Sequence, residues 1–238
     1  MTRFPNFRLG VLTLVALAAV MAWDATGGDL LLARMAGSAM GFPLRSNPFM
    51  VHVMHEGARD LSWVLVIGLF AAIRWPFAFL RRLGTPERAQ LAVTVLASVI
   101  AVSILKNLSQ TSCPWDLQEF GGVARYVSHW SWGVNDGGPG GCFPAGHASA
   151  AFAYVGGYFV LRRVSPRVAA IWLGVAVVAG LVLGVAQQLR GAHYMSHTLW
   201  TAWVCWTVGF AIELALTRRS PRVLAPAPEQ AVPAHAGS

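Results

Sequence analysis

The chain has 238 residues, of which 55% are hydrophobic and 12% charged, and its mean hydropathy is +0.53. These values are too apolar for a soluble globular domain, and the apolar residues form long blocks, so an integral membrane protein is predicted. Topology and anionic lipid headgroups then explain the formal net charge of +8, which leaves no reason to invoke nucleic acid as a partner.

Six apolar segments are long enough to cross a bilayer. A hydrocarbon layer of about 30 Å takes about 20 apolar residues as a helix, because every backbone N–H and C=O must be paired within the segment. The sequence therefore predicts an all-α polytopic protein with transmembrane helices at about 9–23, 61–79, 89–105, 145–161, 168–189 and 198–216. Arg3 and Arg8 before a short apolar core also fit a signal peptide, but no clear small-x-small cleavage site follows, which favours a membrane anchor.

One domain is expected, at residues 1–218, and two regions look peripheral to its helices. Residues 28–59 form an extracytoplasmic stretch with a possible interfacial helix at about 30–40. Residues 219–238 form a Pro/Ala-rich tail that is predicted to be disordered and cytoplasmic.

The distribution of basic residues predicts the orientation. With an intracellular N-terminus, the cytoplasmic side receives twelve of the eighteen Lys and Arg residues, and both termini lie inside. The other side receives Arg34, Arg45, Arg59, Lys106, Arg125 and Arg190.

Lys106 is the only lysine in the chain, and it lies where the third apolar segment gives way to a polar loop. Cys113 and Pro114 follow after six residues, and the proline ends any continuing helix so that the loop can fold back. By itself the lysine is more simply explained as a snorkelling side chain at the headgroup level than as a phosphate contact.

Two further motifs fall on the same predicted side of the membrane. The run FPAGHAS at 143–149 opens the fourth segment, where Gly146 permits close backbone approach to an anion and His147 can exchange a proton. The run RGAHYMSH at 190–197 places Arg190 near His193, which suits a nucleophile or base with a phosphate clamp. The alternatives are a plain loop-to-helix turn and a basic connector on lipid headgroups.

In order and spacing, the three motifs resemble those of the membrane-bound type 2 phosphatidic acid phosphatases, in the superfamily that also includes the vanadium haloperoxidases. That family has K-x6-R-P, P-S-G-H and S-R-x5-H-x3-D on six helices, with the site at the extracytoplasmic face. The resemblance covers about residues 89–216, and its matching positions are Lys106, Pro114, Pro144, Gly146, His147 and His193.

The resemblance implies a phosphatase that acts on a lipid phosphomonoester or diphosphate in a bacterial-type inner membrane, with a periplasmic site and no metal or other cofactor. His193 would be the nucleophile that forms a phosphohistidine, and His147 would protonate the leaving group. Lys106 and backbone N–H groups near Gly146 would stabilise the phosphoryl oxygens. A lipid or sugar hydroxyl in place of water would make the same site a phosphotransferase.

Three anchoring positions depart from the family pattern, and Ala145 also replaces its serine. Cys113 and Gln187 stand where the family has phosphate-binding arginines, and His197 stands where it has the aspartate that orients the nucleophile. Arg190 and Arg125 are the predicted replacements for the lost guanidinium groups. A neutral histidine supplies no negative charge, so either turnover is slow or a carboxylate comes from Asp116, Glu119, Asp136 or Glu56.

The cysteines give a further expectation. Cys113 and Cys142 lie in the same extracytoplasmic loop, in a compartment that permits oxidation, so a disulfide between them is predicted. Cys205 falls inside the sixth segment and is assigned to packing.

Two other classes of function stay open. His193 and His197 with His129 or His147 could ligate a metal, although zinc hydrolases carry a glutamate where this chain has Tyr194. A non-catalytic relative that binds or transports a phospholipid is the other alternative. The lipid substrate and the oligomeric state do not follow from the sequence.

Overall fold

The computed structural model of the chain describes residues 3–131 and 133–219, so the predicted tail lies almost wholly outside the described residues. This part of the chain is helical and forms no strand, which confirms the all-α fold class. Its α-helices are α1 (Arg3–Ala25), α2 (Gly28–Ala36), α3 (Ala58–Arg74), α4 (Thr85–Leu108), α5 (Ser149–Phe152), α6 (Gly157–Leu161), α7 (Pro166–Leu189) and α8 (Met195–Arg219).

Five of the six predicted spans have a helix that is long and apolar enough to cross a membrane. These helices are Asn6–Ala25, Phe49–Arg82, Thr85–Leu108, Pro166–Leu189 and Met195–Thr217. The remaining span, the fourth in chain order at 145–161, has a shorter helix, because the helical path begins at Ser149 and reaches Leu161 through a 3-10 turn at Ala153–Gly156. The prediction of six full spans is therefore not confirmed at this segment.

The second span begins about three turns before the predicted boundary. A π-helix at Phe49–Gly57 leads directly into α3, and a 3-10 turn at Ala78–Arg82 extends the apolar path beyond it. The prediction missed this start because polar residues interrupt the apolar pattern there. Among them are Arg59 and Asp60, which pair with each other on an exposed surface. A helix is present where the interfacial helix was predicted, as α2, and it ends four residues earlier than expected, at Ala36.

The core lies between α4, α8 and the segment that contains α5 and α6. Leu91, Val95, Phe152 and Val160 are at most 1% exposed. A Cβ atom at Gly156 would lie 2.4 Å from Thr94 Cγ2, so the absence of a side chain there is what permits this close packing.

The two ends of the bundle differ in chemistry. At one end, buried Glu213 on α8 pairs with Arg162 and Arg163 and accepts a hydrogen bond from Gln90 on α4. The other end, called the site end below, contains the last turns of α4 and α7 and the first turn of α8. The ion-paired network fixes the helices at one end, and the predicted motifs lie at the other.

Candidate active site

The three predicted motifs come together at the site end. The Lys106 ammonium donates a hydrogen bond of 2.6 Å to the carbonyl oxygen of Gly141, just before the second motif. The Lys106 side chain also packs against Gly146, where an added Cβ atom would lie 3.4 Å from Lys106 Cδ. The ring centroids of His147 and His193 are 6.3 Å apart. Side chains that are separated by whole helices in sequence therefore form one cluster.

A glycine turn places His193 in this cluster. Gly191 has φ +75°, and a Cβ atom there would lie 2.4 Å from Phe42 Cδ2, so both the backbone and the space require glycine. The Trp115 backbone N–H donates to the Gly191 carbonyl oxygen at 3.0 Å, which fixes the connector just before α8 begins. His193 is only 2% exposed, so surrounding residues fix the position of its ring.

Cys142 lies between the two histidines of the third motif. Its sulfur is 3.6 Å from His193 Nδ1, and its carbonyl oxygen is 3.1 Å from His197 Nδ1. A carbonyl oxygen only accepts hydrogen bonds, so His197 Nδ1 carries the hydrogen. The His193 and His197 ring centroids are 5.9 Å apart, and the hydrogen bond described for His197 goes to the backbone of Cys142 rather than to the nucleophile position.

Cys113 and Cys142 form a disulfide in the structure, with 2.11 Å between the sulfurs and 5.2 Å between the Cα atoms. The bond joins residues that are 29 positions apart, next to the first and second motifs. With His193 they are the one group of potential metal ligands found in the described residues, with ligand atoms within 4.8 Å of one another. The disulfide leaves neither sulfur as a thiolate, so this group does not fit a metal ion.

The four carboxylates suggested as partners for His193 make their hydrogen bonds elsewhere. Asp136 accepts from the Ser112 backbone and hydroxyl, Glu119 from Arg34, Glu56 pairs with His52, and Asp116 accepts from the Cys113 backbone. Among the described residues, no carboxylate oxygen lies within 4.0 Å of a His193 ring nitrogen, and the Cys142 sulfur lies beside Nδ1 instead.

Two acidic residues that the sequence analysis missed support the third motif from α1 and α2. Asp29 accepts hydrogen bonds from the backbone N–H and the hydroxyl of Ser196, so it caps the start of α8. Asp24 accepts from Trp200 at 2.8 Å and lies 3.3 Å from His129 Nε2. Both lie far from the motifs in sequence, so no local spacing could have identified them.

His55 is a third residue of the site that the sequence did not reveal. Its ring centroid lies 3.7 Å from that of His147, and the two planes are inclined by 32°. The Nδ1 atom of His147 is buried and finds no hydrogen-bond partner among the described residues. The second motif thus presents a buried, unpartnered imidazole nitrogen beside the cluster, where a ligand can satisfy it.

The two arginines predicted to replace the family's phosphate-binding arginines lie in different environments. Arg190 is 7% exposed and donates to the side-chain oxygen of Gln187 at 3.0 Å, so it lies beside the position where the family has an arginine. Burial lowers the pKa of Arg190, and the charge of Arg45 acts in the same direction. Arg125 is exposed, and its backbone N–H donates to the backbone carbonyl oxygen of Asp136.

Burial dominates the protonation of the two central histidines. It lowers the pKa of His147 to about 3, and the charges of His55, Lys106 and Arg190 add to this effect. It also lowers the pKa of His193 well below 6.5, with Lys106 as the next contributor. Both rings are therefore neutral at neutral pH, which is the state that a nucleophilic imidazole needs.

These pKa values predict a loss of stability in acid. A histidine with a lowered folded-state pKa makes the unfolded state the better proton acceptor, so stability is intact above about pH 6.5 and falls as the pH drops towards 3. At pH 5 the contribution of His147 alone is about 2 kcal/mol. Thermal unfolding in detergent at pH 7.5 and pH 5 should show a smaller loss for His147→Gln than for the wild type. An equal loss in both proteins would contradict the assignment.

Comparison with known proteins identifies the family. The PAP2 superfamily matches residues 88–220, which contain all three motifs, and the chain belongs to this family. A sequence comparison with curated proteins found no match. Among solved structures, the chain is similar to one described as the first transmembrane PAP2-type phosphatidylglycerolphosphate phosphatase from Bacillus subtilis.

The similarity to the Bacillus subtilis structure concerns the fold. The two chains are 14% identical, the TM-score is 0.50, and the match covers 92% of this chain and 98% of the other. The chain is therefore a multi-pass membrane protein of the PAP2 superfamily.

Proposed function

We propose that the protein hydrolyses a lipid phosphomonoester or diphosphate through a phosphohistidine at His193, without a metal ion. The observation that supports this most is the cluster of Lys106, His147 and His193 at one end of the bundle, in the order and spacing of the family motifs. The cluster combines a cation, a proton donor and a buried nucleophile, which are the parts that phosphoryl transfer needs.

In the first step, a nitrogen of His193 attacks phosphorus in line, and the bond from phosphorus to the lipid oxygen breaks. Cys142 lies beside Nδ1, so Nε2 is the nitrogen left for attack. His147 gives its proton to the departing oxygen. In the second step, water attacks the phosphohistidine, His147 takes a proton from that water, and phosphate leaves with His193 neutral again.

Substrate binding couples to the protonation of His147. The ring is neutral in the empty site because its pKa is about 3. An anionic phosphoryl group beside it favours the charged form and raises that pKa. The general acid is thus formed when the substrate arrives.

Positive charge for the phosphoryl oxygens comes from Lys106 and Arg190 in this proposal, with backbone N–H groups near Gly146. Arg190 is buried beside Gln187 and so stands in for the missing family arginine. The guanidinium of Arg125 is exposed, and we leave it out of the proposed site. His197 holds the Cys142 carbonyl and acts as a positioning residue.

The proposed location is a bacterial-type inner membrane, with both termini cytoplasmic and the site end facing the periplasm. The excess of arginines at the opposite end supports this orientation, since Arg162, Arg163 and the basic end of α8 lie there. A site end at the outer surface also suits an oxidised Cys113–Cys142 pair.

Phosphate release from purified protein tests this proposal. Phosphatidic acid, phosphatidylglycerol phosphate, undecaprenyl diphosphate and a lipid A phosphate are incubated with the protein, with and without EDTA. Release that resists EDTA supports a metal-independent phosphatase. Release that EDTA abolishes favours a metal enzyme, and transfer to an added lipid or sugar alcohol without free phosphate favours a phosphotransferase.

A non-catalytic phospholipid-binding protein is the second candidate. Cys113, Gln187 and His197 occupy positions where the family has two arginines and an aspartate, and this loss of charged groups favours binding without turnover. Saturable binding of the same lipids without release of phosphate would support it.

Reduction of the disulfide is expected to lower activity. The Cys113–Cys142 bond holds the Cys142 carbonyl and sulfur against His197 and His193, so its loss lets the nucleophile move. A misplacement of about 1 Å costs roughly 10- to 100-fold in rate. Phosphate release should fall to this extent in Cys113→Ser, and buried Cys205→Ser serves as the matched control. Equal rates in Cys113→Ser and wild type would show that the bond has no positioning role.

A further inference from the structure

A second basic cleft adjoins the proposed active site. Its volume is about 400 Å³, and its lining includes Arg45, His52, Trp115 and Arg190. Arg45 precedes the region that matches the PAP2 superfamily, so the family motifs do not explain why an arginine lies at this position of the cleft.

Two guanidinium groups converge on one aromatic ring in the cleft. Arg45 Cζ lies 4.6 Å from the centroid of the Trp115 ring, and Arg190 Cζ lies 5.9 Å from it. The Nε atom of Arg190 also donates to the Arg45 backbone carbonyl oxygen at 3.1 Å. The ring and the backbone thus hold two like charges near each other, an arrangement that an anion stabilises.

The protein itself does not neutralise these charges. In the part of the chain that the structure describes, no carboxylate oxygen lies within 4.0 Å of either guanidinium. Glu56 acts on Arg190 and Asp116 on Arg45 only through longer-range electrostatics, because Glu56 pairs with His52 at 2.8 Å and Asp116 accepts a hydrogen bond from the Cys113 backbone. An anionic ligand would therefore be the partner for both arginines.

Arg190 links the cleft to the catalytic cluster. It lines the cleft, donates to Gln187 at the family arginine position, and acts electrostatically on His147. An anion in the cleft and a phosphoryl group at His193 would thus lie on either side of the same guanidinium, whose planar fork has donors for more than one acceptor.

We propose that the cleft binds a second anionic phosphoryl group of the lipid substrate, and that Arg45, Arg190 and Trp115 select substrates with two such groups. This inference rests on the proposed phosphatase function and narrows its substrate class. A diphosphate supplies the second group directly next to the reacting one. A phosphomonoester on a headgroup that also carries a phosphodiester supplies it further away.

The test compares three substrates with short chains: dioctanoyl phosphatidic acid, dioctanoyl phosphatidylglycerol phosphate and farnesyl diphosphate. Phosphatidic acid has one phosphoryl group. Farnesyl diphosphate carries the second group directly next to the reacting one, and phosphatidylglycerol phosphate carries it further away, as a phosphodiester. For the wild type, kcat/KM should be at least about tenfold higher on one of the two-group lipids than on phosphatidic acid, as expected for one charge-assisted contact.

Arg45→Gln should remove this preference through a higher KM, with kcat/KM for phosphatidic acid within about twofold of wild type. The matched control is Arg34→Gln, which changes an exposed arginine that pairs with Glu119. The lipid that loses its advantage shows which arrangement the cleft binds. No preference in the wild type, or an equal loss on all three lipids in Arg45→Gln, would overturn the proposal.

A binding measurement separates this proposal from the phosphatase assignment. If no lipid is hydrolysed, the phosphatase function fails, but binding of the same lipids still tests the cleft. Calorimetry with His193→Ala protein should show weaker binding of a two-group lipid, by about tenfold, when Arg45→Gln is added. Unchanged affinity would overturn the second anion site whatever the enzyme assay shows.

Discussion

Phosphate release should fall by at least about 10⁴-fold when His193 is replaced by alanine, because in the proposed mechanism the substitution removes the atom that bonds to phosphorus. The side chain is 2% exposed beside Cys142, so water cannot simply take its place in the same geometry. The measurement is release of phosphate from the best lipid of the panel, under conditions where the wild type completes many turnovers.

Two controls make the result specific. His235→Ala changes a histidine beyond the region matched by the family, and it should leave the rate unchanged. His193→Gln keeps most of the side-chain volume, so equal inactivity of the alanine and glutamine variants separates lost chemistry from lost packing. Turnover within tenfold of wild type in either variant would remove His193 from the nucleophile role.

Substitution of Lys106 by methionine should be nearly as damaging, with a loss of about 10²- to 10³-fold in kcat. Lys106 is the only lysine in the chain, and Cys113 and Gln187 replace two family arginines, so in the proposed mechanism it supplies a larger share of the positive charge at the phosphoryl group. The change keeps the aliphatic stem that lies against Gly146 and removes the ammonium.

The methionine variant also loses the hydrogen bond from the charged Lys106 Nζ to the Gly141 carbonyl oxygen, which contributes about 1.5 kcal/mol to stability. Thermal unfolding therefore accompanies the assay, and only a small decrease is expected. Lys106→Arg restores the charge and should recover part of the rate. Near-normal turnover of Lys106→Met would show that the phosphate lies elsewhere.

The sequence predicted the parts of the site that depend on motif spacing. The order of the predicted spans placed Lys106, His147 and His193 on one side of the membrane, and the structure has them together at one end of the bundle. The long apolar helices were predictable because a bilayer fixes their length and composition. The pairing of Cys113 with Cys142 followed from their shared loop and compartment, and the structure contains that bond.

The remaining features depend on packing between distant segments. Arg45, His55 and Asp29 contribute to the site end from a stretch that hydropathy assigned to the periphery, because charged residues interrupt the apolar pattern before α3. Cys142 contacts His197 through its backbone carbonyl oxygen. Every residue has this group, so the residue type at position 142 could not predict the contact. These groups become visible only once the helices are assembled.

A trapped phosphoenzyme tests the central claim most directly. Purified protein is mixed with lipid carrying ³²P in the reacting phosphoryl group, quenched in strong base during steady-state turnover, and digested for mass spectrometry. The proposed mechanism predicts a label on His193 that is stable in base and lost in acid, and no label in His193→Ala. Steady turnover by the wild type without labelled His193, or an equal label in the alanine variant, would contradict covalent catalysis by this residue.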